Sequence, residues 1–269
     1  MEGLGYFGAL VMGFILGLLG GGGSVMTVPI LVYLLRVDVV LATAYSLFIV
    51  GASSFFGALS YWRKGLVRIK TGIYFGVPSV IMVFITRKWI LPNISDVWFT
   101  IGSWSMTKEL FILVLFSGMM IISAYYIIRV KVRPLNEKTI LPSKTTWLVV
   151  VSEGGLIGFL TGLVGAGGGF IIVPALLLFF ELDIKEAIAT SLFIITIKSL
   201  IGFIGDITVY QIDWNLLFTF TGLAVVGIFL GSIMSSRVSG KSLKKIFGGL
   251  LLVMGVFMLF GEVLYSLFN

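Results

Sequence analysis

The chain has 269 residues, is 58% hydrophobic and only 12% charged, and has a mean hydropathy of +1.13 with a net charge of +7. A soluble domain carries about 25% charged residues, so the bilayer and not water is the solvent here. With no histidine and no cysteine, imidazole or thiolate metal sites, disulfides, redox cysteines and triads built on imidazole are excluded, and no metal or cofactor is expected.

A crossing helix takes about 20 apolar residues, so the length is used up by about seven or eight membrane segments and short loops. Apolar runs fall at 6–19, 26–35, 39–61, 71–85, 110–128, 147–164, 170–180, 187–204, 214–234 and 246–268. No basic region precedes the first run and no cleavage site stands out, so the first helix is expected to be retained. The runs at 26–35 and 170–180 are about 10 residues, or roughly 15 Å of helix, too short for a hydrocarbon core of about 30 Å. Each follows a glycine run. The segment 87–108, with Trp89, Trp98 and Trp104, reads as interfacial. A basic linker at 129–144, with Pro134 and Pro142, separates a first membrane repeat (1–128) from a second (145–269).

Those two parts are copies. Shifted by 145 positions, 13–48 aligns with 158–193 without a gap, with roughly 16 of 36 residues identical. GLLGGGGSVMTVPIL (17–31) matches GLVGAGGGFIIVPAL (162–176), Asp38 matches Asp183, and AYSLF (44–48) matches ATSLF (189–193). Repeats of this size in an apolar chain mark secondary transporters, whose halves enclose a site near the bilayer midplane.

Charge bias selects the topology. Four simple crossings per copy would split the loop Lys and Arg residues about 9 to 9 between the two faces. If the unit 147–180 instead enters and leaves on one side, the split becomes about 14 to 4, with the loops 62–70, 129–144 and 235–245 together in the cytoplasm. By repeat symmetry 6–35 does the same. Three crossing helices then follow each re-entrant or discontinuous unit, and the odd number inverts the second copy. The expected fold is an all-α polytopic membrane protein of two inverted-topology repeats.

Four consecutive glycines cannot hold a helix in lipid, so such backbone lines a polar site. Pro29 and Pro174 fit half-helices beginning near Val28 and Val173, with unwound chain before them. The N–H groups there and the positive helix end make an anion site from Gly21, Gly22, Gly23, Ser24 and Thr27 of one copy and Gly167, Gly168 and Gly169 of the other. Close helix packing explains Gly13, Gly17, Gly158 and Gly162. A phosphate loop fails on spacing, since neither run completes G-x-G-x-x-G and no Gly-Lys-Ser/Thr follows. Ser46, Thr190 and Ser191, with Thr43, offer hydroxyls to an oxyanion or to their own helix backbone. Lys198 lies mid-span, where a charge costs about 3 kcal/mol, and either meets an anionic substrate or pairs with Glu153 or Asp206; its repeat counterpart is Ser53. Glu153 is a candidate proton-coupling carboxylate or a partner of Lys144. Asp38 and Asp183 cap helices, Asp183 and Glu186 having capping-box spacing. Asp206, Gln211 and Asp213 read as a solvated outer loop.

The doubled G-x-x-G-x-G-G…V-P pattern, with its Asp and Ser-Leu-Phe, resembles the sulfite exporter TauE/SafE family over nearly the full chain. The resemblance implies a small prokaryotic plasma-membrane transporter moving sulfite or a sulfur-containing organic anion such as sulfoacetate outward. The pocket is not symmetric, since Ser24 stands opposite Gly169 and Tyr45 opposite Thr190. The expected partners are that small anion, the lipid bilayer and a coupling proton or ion, with a homodimer admitted and nucleic acid excluded. An anion channel would show uncoupled conductance. A membrane-embedded enzyme lacks the paired carboxylates or metal ligands it would need, and a non-transporting subunit would have unbroken helices.

Overall fold

The computed structural model describes residues 2–101, 104–129 and 144–268. The linker residues 130–143, with Pro134 and Pro142, lie outside the described residues, as do the side chains of Trp98, Trp104 and Lys144. The first half is built from α1 (Glu2–Leu19), a 3₁₀ stretch (Gly20–Met26), α2 (Thr27–Pro29) running into a π turn (Ile30–Leu34), α3 (Val39–Arg63) and α4 (Ile69–Ile85). A π turn (Thr86–Ile90) and a 3₁₀ turn (Leu91–Asn93) extend α4, and an antiparallel hairpin of β1 (Val97–Ile101) and β2 (Trp104–Thr107) leads to α5 (Lys108–Arg129). The second half holds α6 (Lys144–Val164), α7 (Gly169–Phe179), α8 (Ile184–Ile207), α9 (Trp214–Arg237) and α10 (Gly240–Phe268). Seven helical segments among the described residues are long and apolar enough to cross a membrane. Large side chains such as Ile122, Phe218, Ile233, Val253 and Phe257 stay exposed on α5, α9 and α10, an apolar surface suited to lipid. The chain is an all-α, multi-pass membrane protein.

Local chemistry explains where the helices begin and end. Asp38 accepts from Val40 and Leu41 N–H at 2.9 and 3.1 Å, Asp183 from Lys185 at 2.9 Å, and Asp213 from Asn215 and Leu216 at 3.0 and 3.1 Å, satisfying donors that a helix start leaves unpaired. The capping box does not form, because the Glu186 carboxylate is taken by Arg68. Both short segments end in the same turn. Arg36 and Glu181 adopt left-handed φ of 55° and 52°, while Val37 N–H bonds Leu31 C=O at 3.0 Å and Leu182 N–H bonds Leu176 C=O at 3.4 Å, the 6→1 bond of a Schellman end.

Small residues set the helix directions. A methyl on Gly13 would overlap Ala224, and one on Gly17 would overlap Ile228; α1 therefore runs parallel to α9 with backbones in contact. Gly154, Gly158 and Gly162 meet Phe75, Ser79 and Thr86 in the same rising register, so α6 runs parallel to α4. Phe48 packs on Phe218 and Phe56 on Phe229, which makes α3 parallel to α9. Gly72 and Gly76 against Phe193 and Ile194 do the same for α4 and α8. The repeat partners oppose each other. Leu47 meets Gly202 while Gly57 meets Leu192, and Ile127 meets Gly248 while Met120 meets Gly255, so α3 is antiparallel to α8 and α5 to α10. Since α1 and α3 point the same way, as do α6 and α8, the chain between each pair must return. Arg63, Lys64, Arg68, Arg129, Lys185, Arg237 and Lys241, at the ends that these directions bring together, lie on one face.

Candidate anion site at the glycine turns

The second glycine run is a true break. Gly165, Gly167 and Gly168 have φ of 73°, 66° and 74°, a left-handed region that costs any other L-residue about 1–2 kcal/mol. Gly165 N–H still bonds Thr161 C=O at 2.9 Å, ending α6, and Ile172 N–H bonds Gly168 C=O at 2.9 Å, starting α7. The helix thus begins at Gly169, four residues before the expected Val173, because the positive-φ turn at Gly168 lets the chain re-enter helical geometry at once. Pro174 is consequently inside α7 and not in its first turn. The first run behaves differently. Of its four glycines only Gly20 has positive φ, at 66°, and Gly20–Met26 coil as 3₁₀ helix instead of unwinding.

The two runs touch. A methyl on Gly21 would overlap the Gly169 backbone, and one on Gly169 would overlap Gly21; only hydrogen fits between the copies. Every residue from Gly20 to Val25 and from Gly165 to Phe170 is buried. Gly22 and Gly23 do not open onto a site, however. Their faces are filled by the Phe247 ring and the Leu16 backbone, so here the packing role accounts for glycine. Ser24 Oγ donates to Gly21 C=O at 2.6 Å, while the hydroxyls of Thr27 and Ser46 are buried with no hydrogen-bond partner.

Cationic groups gather on the second turn. Lys198 is fully buried, its Nζ donating to Thr161 Oγ1 at 2.8 Å and lying 2.6 Å from where a Gly168 Cβ would be. The alternative pairing of Lys198 with Glu153 or Asp206 is not formed, because Asp206 is held by Arg87. Arg87 Nη1 lies 3.4 Å from Asp206 Oδ2, with both side chains fully buried, and donates to Thr43 Oγ1 at 3.0 Å. Its Nη2 occupies the space beside Gly165. Asp206 is therefore not in a solvated loop; one turn of α8 extends beyond the predicted end and carries it under the π turn Thr86–Ile90. Ser199 Oγ, buried and unpartnered, lies 3.3 Å from the position of a Gly167 Cβ. The turn thus packs against Thr43, Val50 and the Thr161 methyl, and among these groups it meets an ammonium, a guanidinium, an unpartnered hydroxyl and the N-terminus of α7, which are donors to negative charge.

Sequence reasoning missed Arg87 and Ser199. Arg87, beside Lys88 and Trp89, read as interfacial, whereas it continues the buried stripe Gly72, Gly76, Ser79 and Val83 while Lys88 stays exposed. Ser199 has the repeat counterpart Ser54, also buried without a partner, a match 145 positions apart that lies just past the aligned block.

Other predicted residues lie elsewhere. Ser191 Oγ donates to Ile188 C=O at 2.8 Å, the backbone role. Thr190 Oγ1 accepts from Arg68 N–H at 3.0 Å. Tyr45, its counterpart, accepts through its hydroxyl from Asp213 N–H at 2.7 Å, and 68 and 213 are again 145 apart. Each copy's loop is therefore latched to the first turns of the other copy's long helix, at opposite ends of the α3–α8 pair. Glu153 sits half-buried on α6, two turns before Thr161, away from the glycine turn.

The chain matches the family described as Sulfite exporter TauE/SafE over residues 6–258. It is 31% identical to probable membrane transporter protein MJ0441 of Methanocaldococcus jannaschii, across 93% of this chain and 94% of that one. It is 28% identical to probable membrane transporter protein YunE of Bacillus subtilis (strain 168), across 91% and 93%, and 26% identical to a probable membrane transporter protein of Xylella fastidiosa (strain 9a5c), across 93% and 91%. No solved structure matches the chain significantly. On its doubled glycine motif and this near-complete match, the chain belongs to the sulfite exporter TauE/SafE family.

Proposed function

We propose that this protein is a plasma-membrane secondary transporter, a carrier and not an enzyme, that moves sulfite or a small sulfonate such as sulfoacetate outward by alternating access. The observation that carries this reading is the meeting of Gly21 with Gly169 at the end of a turn whose Gly168 lies against the buried Lys198 and whose Gly165 lies against the buried Arg87. Backbone broken at membrane depth is tolerated where it lines a substrate site, and two buried cations with spare donors call for an anion. The antiparallel pairs α3/α8 and α5/α10 support an inverted-topology repeat, with the face bearing Arg63 and Arg237 in the cytoplasm. The latches at Thr190 and Tyr45 support alternating access, since a carrier needs one closure on each face and here the repeat supplies both. Outward transport follows the family's description as sulfite exporter.

The test is uptake into sealed liposomes of sulfite, sulfate, thiosulfate, sulfoacetate and carboxylates. Saturable exchange of a sulfur oxyanion, coupled to a second ion, is expected. Uncoupled conductance would replace the carrier with a channel, and failure of every anion to move would overturn the reading.

A further inference from the structure

The Arg87–Asp206 pair crosses between the two repeats, Arg87 coming from the extension of α4 and Asp206 from the last turn of α8. It is a loose pair in a buried place. The 3.4 Å separation is longer than a charge-assisted hydrogen bond, Arg87 Nε and Nη2 have no hydrogen-bond partner, and neither does either oxygen of Asp206. Buried ions normally have their donors and acceptors filled, because desolvation is otherwise uncompensated. Here unfilled guanidinium donors face the left-handed turn at Gly165, on the side of the site where Ser199 and Lys198 follow along Gly167 and Gly168.

We infer that Arg87 is a substrate-binding residue for which the transported oxyanion and the Asp206 carboxylate compete, and that Asp206 takes up one proton when the anion displaces it. The inference rests on the anion-transport reading above. An oxyanion can engage Nε and Nη2 as a planar fork, a geometry that the single ammonium of Lys198 cannot offer. Once the anion neutralises Arg87, an ionised Asp206 would be left as an uncompensated buried charge, so its carboxylate binds a proton drawn from the accessible face. After translocation the anion leaves, the proton dissociates to the other face, and the carboxylate pairs with Arg87 again. One proton therefore moves in the same direction as each anion, so outward flux requires the outward electrochemical gradient of the anion to exceed any inward gradient of the proton.

Asp206 is the carboxylate that faces Arg87. From the α4 extension it meets Arg87, and Gly205 beside it packs on the backbone of Lys88, whose ammonium lies over Phe84 and Trp89. In the following loop, Tyr210 N–H bonds Asp206 C=O at 3.0 Å, and burial holds the Tyr210 hydroxyl above its ordinary range, with Asp206 raising it further and Arg87 lowering it. From α3 Asp206 shares Thr43 through Arg87; α7 carries no ionisable residue. Lys198 stands two turns back on its own helix, bonded to Thr161.

The experiment measures sulfoacetate binding to the purified full-length protein in weakly buffered detergent solution with a pH-indicator dye. Both acidic groups of sulfoacetate are ionised near neutrality, so any proton taken up belongs to the protein. Wild type is expected to absorb about one proton per anion bound, and its affinity to fall about tenfold per pH unit on the alkaline side. Asp206→Asn, which mimics the protonated acid, should bind without proton uptake and with affinity independent of pH. Arg87→Gln should lose at least about tenfold in affinity. Wild-type binding with no proton uptake overturns the inference while leaving the transport reading intact, and needs no variant to fold. Uptake of a proton by Asp206→Asn also overturns it. If wild type binds neither sulfoacetate nor sulfite, the transport reading falls and this inference with it.

Discussion

The left-handed turn at Gly168 allows a sharp test, because the chain contains its own control. Adding a methyl at Gly168, as in Gly168→Ala, imposes left-handed strain of about 1–2 kcal/mol. It also places carbon 2.6 Å from Lys198 Nζ and against Thr161, which must displace the ammonium from its 2.8 Å bond to Thr161 Oγ1. A hydrogen bond to a charged group is worth about 1.5–3 kcal/mol, so the total destabilisation is roughly 2.5–5 kcal/mol. Gly65, in the loop between α3 and α4, has almost the same φ of 71° but no atom within 4 Å of a Cβ. Gly65→Ala therefore carries the strain alone, about 1–2 kcal/mol. Thermal unfolding in detergent and calorimetric titration with sulfite and sulfoacetate measure both consequences. Gly168→Ala should weaken anion binding by roughly 100-fold, about 2.7 kcal/mol, while Gly65→Ala binds like wild type. Equal stability loss and equal affinity in the two variants would refute the placement of the anion beside Lys198.

Three further outcomes follow from the same geometry. Lys198→Met keeps the apolar stem but removes the charge; anion affinity should drop by more than about tenfold, with no loss of thermal stability, since an ammonium with one hydrogen bond is costly to bury. Thr190→Val and Tyr45→Phe each delete the acceptor of one latch, worth about 1 kcal/mol or roughly fivefold in population. Cysteine accessibility near the substrate site should rise from the face of Arg68 in the first variant and from the opposite face in the second; shifts toward the same face would contradict the two-latch scheme. Single cysteines at Ser242 and Asp96 should react with impermeant reagent from opposite sides of the membrane, Ser242 from the cytoplasmic side, and labelling from one side would contradict the assigned topology.

Much of the fold was legible because its signals are local. Asp38 and Asp183 cap as expected because a carboxylate two residues before a free N–H needs nothing from the rest of the molecule. Gly13, Gly17, Gly158 and Gly162 read as packing residues, and each lies against a neighbouring helix. The glycine runs were less transparent. Both copies spell nearly the same string, yet Gly22 meets Phe247 whereas its counterpart Gly167 meets Val50 and Ser199, because α10 covers the first run while α3, the middle of α8 and the extension of α4 surround the second.

What the sequence determined by itself is the duplication, the shortness of the two interrupted segments and the oddness of a lysine in mid-span, since periodicity, length and transfer cost are properties of a chain before it packs. Only the tertiary structure decided which cations face the break. Arg87 and Lys88 are adjacent and chemically alike, and nothing local separates them; the packing of α4 against α6 and α8 turns Arg87 inward to Asp206 and leaves Lys88 outside. The pairing of residues 119 positions apart is a property of the helix arrangement, which places the guanidinium against the left-handed turn at Gly165.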